Sequence, residues 1–154
     1  VVADVESVAG RGGDSFVPVC SALARALCAL GVDARHRPVN DVEVGGRKVS
    51  GSAQLRRRGS VLQHGTVIVD TDTETMDAVL RHGAARPSER VTTLARLLPD
   101  ARMDIASVKR SLEAEVARTF GVAFERAPLT EEERGTVADL VASRYSLEEW
   151  NMRY

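Results

Sequence analysis

The stretch NDVEVGGRKVSGSAQLRRRGSVLQHG, from Asn40 to Gly65, reads as strands broken by two turn signals. Val39–Val44 is extended and stops at Gly45-Gly46, a hairpin turn pair. Lys48–Arg57 and Val61–Asp70 are two further strands, joined near Gly59-Ser60. Ala34–Arg37 adds an extended segment just upstream. A meander of antiparallel strands is expected here. Further toward the N-terminus, Phe16–Leu30 carries Val19, Leu23, Ala26, Leu27 and Leu30 at helical spacing. Pro18 is tolerated in its first turn, and Gly31 stops it. Residues 1–7 alternate as a strand around Val2 and Val5, and Gly12-Gly13 reads as a loop. The remainder is mostly helical. Thr73–Arg81 and Val91–Leu98 are short helices around a loose stretch, His82–Ser88. Asp104 caps a long helix with Ile105, Val108, Leu112, Val116 and Phe120 on one face, ended by Gly121. Val122–Arg126 reads as a strand. Thr130 with Glu133 forms a capping box, opening a helix that turns Val137, Leu140, Val141 and Tyr145 inward. Ser146 caps a last turn containing Trp150. The class is therefore α+β, a mixed or antiparallel sheet flanked by helices.

The chain has 154 residues, 44% hydrophobic and 28% charged, with a formal net charge of -1. That length suits one domain, and the composition excludes a disordered chain. The balanced charge supplies no general field for nucleic acid, and no aromatics interleave with the Arg56-Arg57-Arg58 run. No apolar run reaches the ~18 residues of a membrane span. Cys20 and Cys28 lie about 12 Å apart along their helix. They cannot bridge each other there, so a reducing cytoplasm is the expected compartment. No His-Glu-x-x-His spacing marks a catalytic transition metal. His36 and His82 fall in loops, and Arg56-Arg57-Arg58 reads as a solvated tip or a dock for an acidic domain or phosphate. Only Lys48 and Lys109 are lysines; the other 19 basic residues are arginine. A lysine kept in so arginine-rich a chain points to a need for a compact ammonium. Lys109, four residues before Glu113 on a helix, reads as one half of a solvated pair.

Strand alternation puts Lys48, Ser50, Ser52 and Gln54 on one face. Gly51, Ser52 and Ala53 carry so little side chain that a ligand or another backbone can approach closely. That face is either a site for an anionic ligand or the solvent side of an edge hairpin. His64 either lines a ligand tunnel or packs in the core. Asn40 is either a ligand contact or a turn-capping amide.

Asn40-Asp41, Gly46-Arg47-Lys48-Val49-Ser50-Gly51-Ser52-Ala53 and His64-Gly65-Thr66 together resemble the lipoate–protein ligase family, within the biotin and lipoate ligase superfamily. Thr130-Glu131-Glu132-Glu133 and Tyr145 with Trp150-Asn151 resemble the end of its catalytic domain. The resemblance implies a biotin/lipoate ligase-like fold and two-step chemistry. The lipoate carboxylate attacks the α-phosphate of ATP, and a lysine of an acceptor then attacks the lipoyl-adenylate. The acceptor would be a lipoyl domain or a glycine-cleavage H-type protein. The resemblance makes Lys48 the catalytic cation, with Asn40, Asp41, Gly51, Ser52, Ala53 and His64 around nucleotide and lipoate, and Asn40 and Asp41 beside Mg²⁺.

The paired arginines, glycine triplet and His-Asp found upstream in that family have no counterpart here. Residues 1–154 are therefore expected to be the C-terminal portion of such a catalytic domain, without the family's small accessory domain and inactive alone. The rest would lie on a separate N-terminal or accessory subunit, or on a longer chain. The octanoyltransferase branch of the superfamily is the alternative. It uses a cysteine nucleophile where this chain has Asp33–Pro38, and no cysteine occurs there. A non-catalytic remnant or binding subunit is the third reading.

Overall fold

A computed structural model describes residues 1–9, 14–81, 83–98 and 104–153. Gly12-Gly13 and His82 lie outside the described residues. The chain divides into two compact units, Val1–Ala123 and Phe124–Tyr154.

In the first unit, β1 (Val2–Asp4), β2 (Ala34–Arg37), β3 (Asp41–Val44), β4 (Arg47–Arg57) and β5 (Ser60–Val67) form one sheet in the order β1-β5-β4-β3-β2. Every pairing is antiparallel, as the meander required. Two-residue turns join β3 to β4 and β4 to β5. Their residues, Gly45-Gly46 and Arg58-Gly59, all have positive φ. That backbone matches the twist of paired strands and makes the turns tight.

One face of the sheet is covered by α2 (Phe16–Ala29), whose Cys20, Leu23, Ala24 and Leu27 pack with Val42, Val49, Leu94 and Val108. The long helix α6 (Ile105–Phe120) crosses α2. Arg25 Nε meets Glu115 at 2.9 Å, and Ser111 Oγ donates to the Ala26 carbonyl at 2.8 Å. Asp104 caps α6 and Gly121 ends it in the left-handed region, both as the sequence indicates. Leu27 is fully buried in this core. Leu27→Ala should cost about 2–5 kcal/mol, read as a fall in the urea midpoint with an unchanged slope. The opposite face is open: Ala53 and His64 are exposed, Leu55 is 60% exposed and Leu62 41%.

Three expectations fail for identifiable reasons. Residues beyond Asp4 turn into helix α1 (Val5–Ala9) because their partner runs out, with Asp4 opposite Ser60, the first residue of β5. Val91–Leu98 is helical only at Leu94–Leu97, here α5, preceded by α3 (Thr73–Val79) and by a short α4 (Pro87–Arg90). The N–H groups of Thr92, Leu94 and Ala95 go instead to the carbonyls of Lys48, Ile68 and Val69, at 2.8–2.9 Å. Val122–Arg126 has no strand partner among the described residues and is not a strand.

The second unit holds α7 (Glu131–Leu140), a π-helical turn (Val141–Tyr145) and α8 (Glu148–Asn151). The capping box is present, with Thr130 N–H to Glu133 Oε2 at 2.7 Å and Glu133 N–H to Thr130 Oγ1 at 3.2 Å. Val137, Leu140, Val141 and Tyr145 do not turn inward; each is 41–49% exposed. A unit this small has no second layer of its own to bury that stripe. Ser146 does not cap α8; its hydroxyl returns to the Val141 carbonyl at 2.8 Å. Tyr145 meets Trp150 edge-on, with ring centroids 5.5 Å apart. Among the described residues, no helix is long and apolar enough to cross a membrane.

Candidate active site

Lys48 does not share a face with Ser50, Ser52 and Gln54. In the pairing of β3 with β4, Val42 lies opposite Ser50 but Glu43 lies opposite Lys48, so Val49 is an extra residue. Such a bulge breaks the period-two alternation. Lys48 is thereby thrown onto the face of Gly51, the open face. Ser50, Ser52 and Gln54 look toward α2, where Ser52 Oγ neighbours Cys20 Sγ and Gln54 Oε1 accepts from Ser15 Oγ at 2.5 Å.

The bulge explains Gly51. A Cβ there would sit 2.5 Å from Lys48 Cε and closer still to Nζ. What approaches Gly51 is therefore the lysine stem of its own strand. Gly51 pairs with Asp41, so the stem crosses Gly51 to reach β3. Its ammonium meets Asp41 Oδ1 at 2.6 Å. Arg37 Nη2 donates to Asp41 Oδ2 at 2.7 Å and Arg37 Nη1 to Glu43 Oε2 at 3.4 Å. Partial burial pushes the Asp41 carboxyl up, but the Lys48 and Arg37 cations outweigh it and hold it below its ordinary value. A depressed carboxyl contributes stability above its unfolded value, and that contribution is lost as pH falls through the folded one.

Ala53 and His64 pair with each other on the open face, so His64 stands exposed rather than in the core. Asn40 and Ser52 act from within the sheet. Asn40 Nδ2 donates to the Ser52 carbonyl, and Ser52 N–H returns to the Asn40 carbonyl at 2.9 Å. Asn40 lies in the turn before β3, and its amide ties that turn to β4. His36 lies on β2, not in a loop, 3.2 Å from the Val39 carbonyl. Arg56, Arg57 and Arg58 are all exposed, and Arg56 also donates to Ser15 Oγ.

Lys48, Asp41 and Arg37 edge a cavity of about 450 Å³, with Arg81 and Arg90 as further cations and Met76, Leu80, Pro87 and Val91 as an apolar wall. No local pattern marks Arg37, Arg81 or Arg90. Arg37 comes from β2, opposite Asp41, and the Thr92 N–H bond to the Lys48 carbonyl pins the end of α4, which carries Arg90, beside the lysine. This cavity suits a ligand with an apolar part and a strongly anionic part.

Magnesium fits these side chains poorly. Both Asp41 oxygens face cations already, while Asn40 donates to Ser52 through Nδ2 and keeps its Oδ1. Among the described residues, no three metal-ligating carboxylate, histidine or cysteine groups converge. Asp41 could reach a metal only by giving up Lys48 or Arg37, and Asn40 offers one oxygen.

Cys20 does not resemble a nucleophile. Cys20 is fully buried, and burial pushes its thiol up, against the pull of its contacts with Ser52 and Gln63. Cys28 Sγ lies 3.3 Å from the Ala34 carbonyl, and both cysteines are free.

Residues 6–117 match the family described as the lipoyl protein ligase A/B catalytic domain. An octanoyltransferase LipM from Symbiobacterium thermophilum is 36% identical over 121 residues, 73% of this chain and 44% of that protein. The lipoate-protein ligase A subunit 1 of Thermoplasma acidophilum is 28% identical over 152 residues, 89% of this chain and 58% of that one. The chain thus spans roughly half the length of these curated relatives. A crystal structure of a lipoate-protein ligase A bound with ATP superposes with a TM-score of 0.82 at 28% identity, covering 98% of this chain and 62% of that one. The bi-partite lipoate protein ligase of Thermoplasma acidophilum, described with its E2 lipoyl domain, gives 0.79 at 29%, covering 89% and 56%. The expected fold is therefore present. Among the curated relatives the octanoyltransferase name is the more frequent and carries the higher identities. They favour the alternative weighed above over ATP-dependent ligation.

Proposed function

Because the chain belongs to the lipoyl protein ligase A/B catalytic-domain family, we propose that it forms part of an enzyme that places a lipoate-type acyl group on a lysine of an acceptor protein, with Lys48 as the fixed cation at the reacting carbonyl. Charge grows on the phosphate and then on the carbonyl oxygen in such chemistry, and a preorganised ammonium stabilises both. The acyl donor decides between two readings.

The geometry favours ATP-dependent ligation. The acid's carboxylate attacks the α-phosphate, the bond to pyrophosphate breaks, and the acceptor amine then displaces AMP from the acyl-adenylate. The observation that carries this reading is the cavity at Lys48, which joins cations to an apolar wall and has no thiol in its lining. The ligase subunit also matches more of the chain than the octanoyltransferase does. Lipoate as substrate and a lipoyl domain as acceptor belong to this reading, supported by the system to which the archaeal neighbour belongs.

Octanoyl transfer is the second reading. The frequency of that name among the curated relatives favours it. On the resemblance described above it needs a cysteine nucleophile before the lysine, and Asp33–Pro38 holds none.

The separating experiment uses the full-length protein. Mass spectrometry after incubation with ATP and lipoate should show lipoyl-adenylate, and Cys20→Ser with Cys28→Ser should leave the yield unchanged. Given an octanoyl thioester of a carrier as donor instead, transfer of the octanoyl group to either cysteine with release of the carrier thiol, and no adenylate from ATP and lipoate, would establish the second reading. We also propose that residues 1–154 are the C-terminal portion of the catalytic domain. The isolated chain should then form no adenylate until the remaining portion is supplied, in cis or in trans.

A further inference from the structure

A lysine side chain has four rotatable carbons and no fixed direction. A cation meant to meet a growing negative charge must be aimed before that charge appears. The open face of the sheet holds Lys48 by a row of alternating charges. Asp41 receives the ammonium on Oδ1 at 2.6 Å and the Arg37 guanidinium on Oδ2 at 2.7 Å. Glu43 takes the other arm of Arg37 at 3.4 Å. Without Arg37, the Asp41 carboxylate could rotate about its side-chain bonds, and the lysine with it. Arg37 and Asp41 lie directly opposite on β2 and β3, and Asp41 and Gly51 on β3 and β4. The row therefore runs straight across three hydrogen-bonded strands. Arg37 is not spent on packing, because its side chain is 43% exposed.

We propose that Arg37 is a positioning residue for Lys48, acting through Asp41 and braced by Glu43. The assignment rests on the reading of Lys48 as the reacting-site cation. Arg37 fixes the carboxylate, the carboxylate fixes the ammonium, and Gly51 leaves the path clear beneath the stem.

The scarcity of lysine makes this directly observable, because Lys48 and Lys109 are the only two. Full-length protein, labelled with ¹³C and ¹⁵N in lysine, with any further lysines assigned by substitution, reports the mobility of the Lys48 ammonium by NMR relaxation. Lys109 is an exposed internal reference. The expected result is a restrained Lys48 in the parent, a Lys48 as mobile as Lys109 in Arg37→Met, and recovery in Arg37→Lys. The rate should follow, with kcat falling roughly ten- to a hundredfold in Arg37→Met and KM for ATP changing far less. Glu43→Gln should show a smaller loss of the same kind. A Lys48 that stays equally restrained in Arg37→Met overturns the assignment, as does a KM rise at constant kcat. If Lys48→Met keeps full activity while the NMR pattern appears as expected, the catalytic reading of Lys48 fails and the mechanical role of Arg37 stands. Arg37→Lys keeps a charge at the position, so its recovery separates aiming from any loss of folding in Arg37→Met.

Discussion

Lys48→Ala in the full-length enzyme should lower acyl-adenylate formation by roughly a thousandfold, with the fold intact. The side chain lies on an open sheet face, so its removal opens no core cavity. What is lost is a unit positive charge held where the phosphate and carbonyl oxygens gain negative charge. Lys48→Arg should be nearly as damaging. A guanidinium is wide, planar and directional, and the gap over Gly51 is shaped for a slim stem ending in a compact ammonium. The loss should appear in kcat, since the interaction strengthens in the transition state. Pyrophosphate release and mass spectrometry of the adenylate measure it. A rate within tenfold of the parent in the alanine variant would show that the reaction runs elsewhere.

Gly51→Val should be the second most damaging change, at about a hundredfold. A valine suits a strand, so the backbone has no objection. The Cβ, however, falls 2.5 Å from Lys48 Cε, where the stem must pass to reach Asp41. The lysine must leave Asp41 or the strands must part, and the side chain is the softer of the two. Lys48 should gain mobility while the melting temperature changes little. A Gly51→Val enzyme with parental activity and a restrained Lys48 would mean that the stem has another route.

The pattern of turns and alternation in residues 34–67 made the sheet legible, because paired positive-φ turns and β-rich segments are local signals. The caps of α6 and α7 were legible for the same reason. The bulge was not. Nothing in Arg47-Lys48-Val49-Ser50 marks Val49 as the extra residue, since the surplus is counted against β3. One uncounted residue moved Lys48 to the opposite face from Ser50 and Ser52 and left Gly51 with a different tenant than expected. The small residues were rightly singled out, but the partner they make room for is an internal one. Arg37 reaches the site through the β2–β3 register, and Arg81 and Arg90 were invisible because tertiary hydrogen bonds, not spacing, hold their segment beside Lys48. The inward face assigned to α7 failed because periodicity reports a stripe and not what lies against it.

Under the proposed ligation, the clasp on Lys48 bears on a hazard that any maker of mixed anhydrides faces, the acylation of itself. An acyl-adenylate reacts with free amines, and the enzyme stands nearer to it than any acceptor does. Arginine is inert to that reaction because its guanidinium stays protonated. With 19 arginines and two lysines, this chain offers an activated acyl group almost nothing to modify. On the proposed reading the amine at the carbonyl is Lys48, and it is held in a salt bridge to Asp41 at 2.6 Å. On that reading an acceptor's lysine differs from Lys48 in arriving outside this salt bridge, free to turn toward the acyl carbon while Lys48 stays tied to its own sheet.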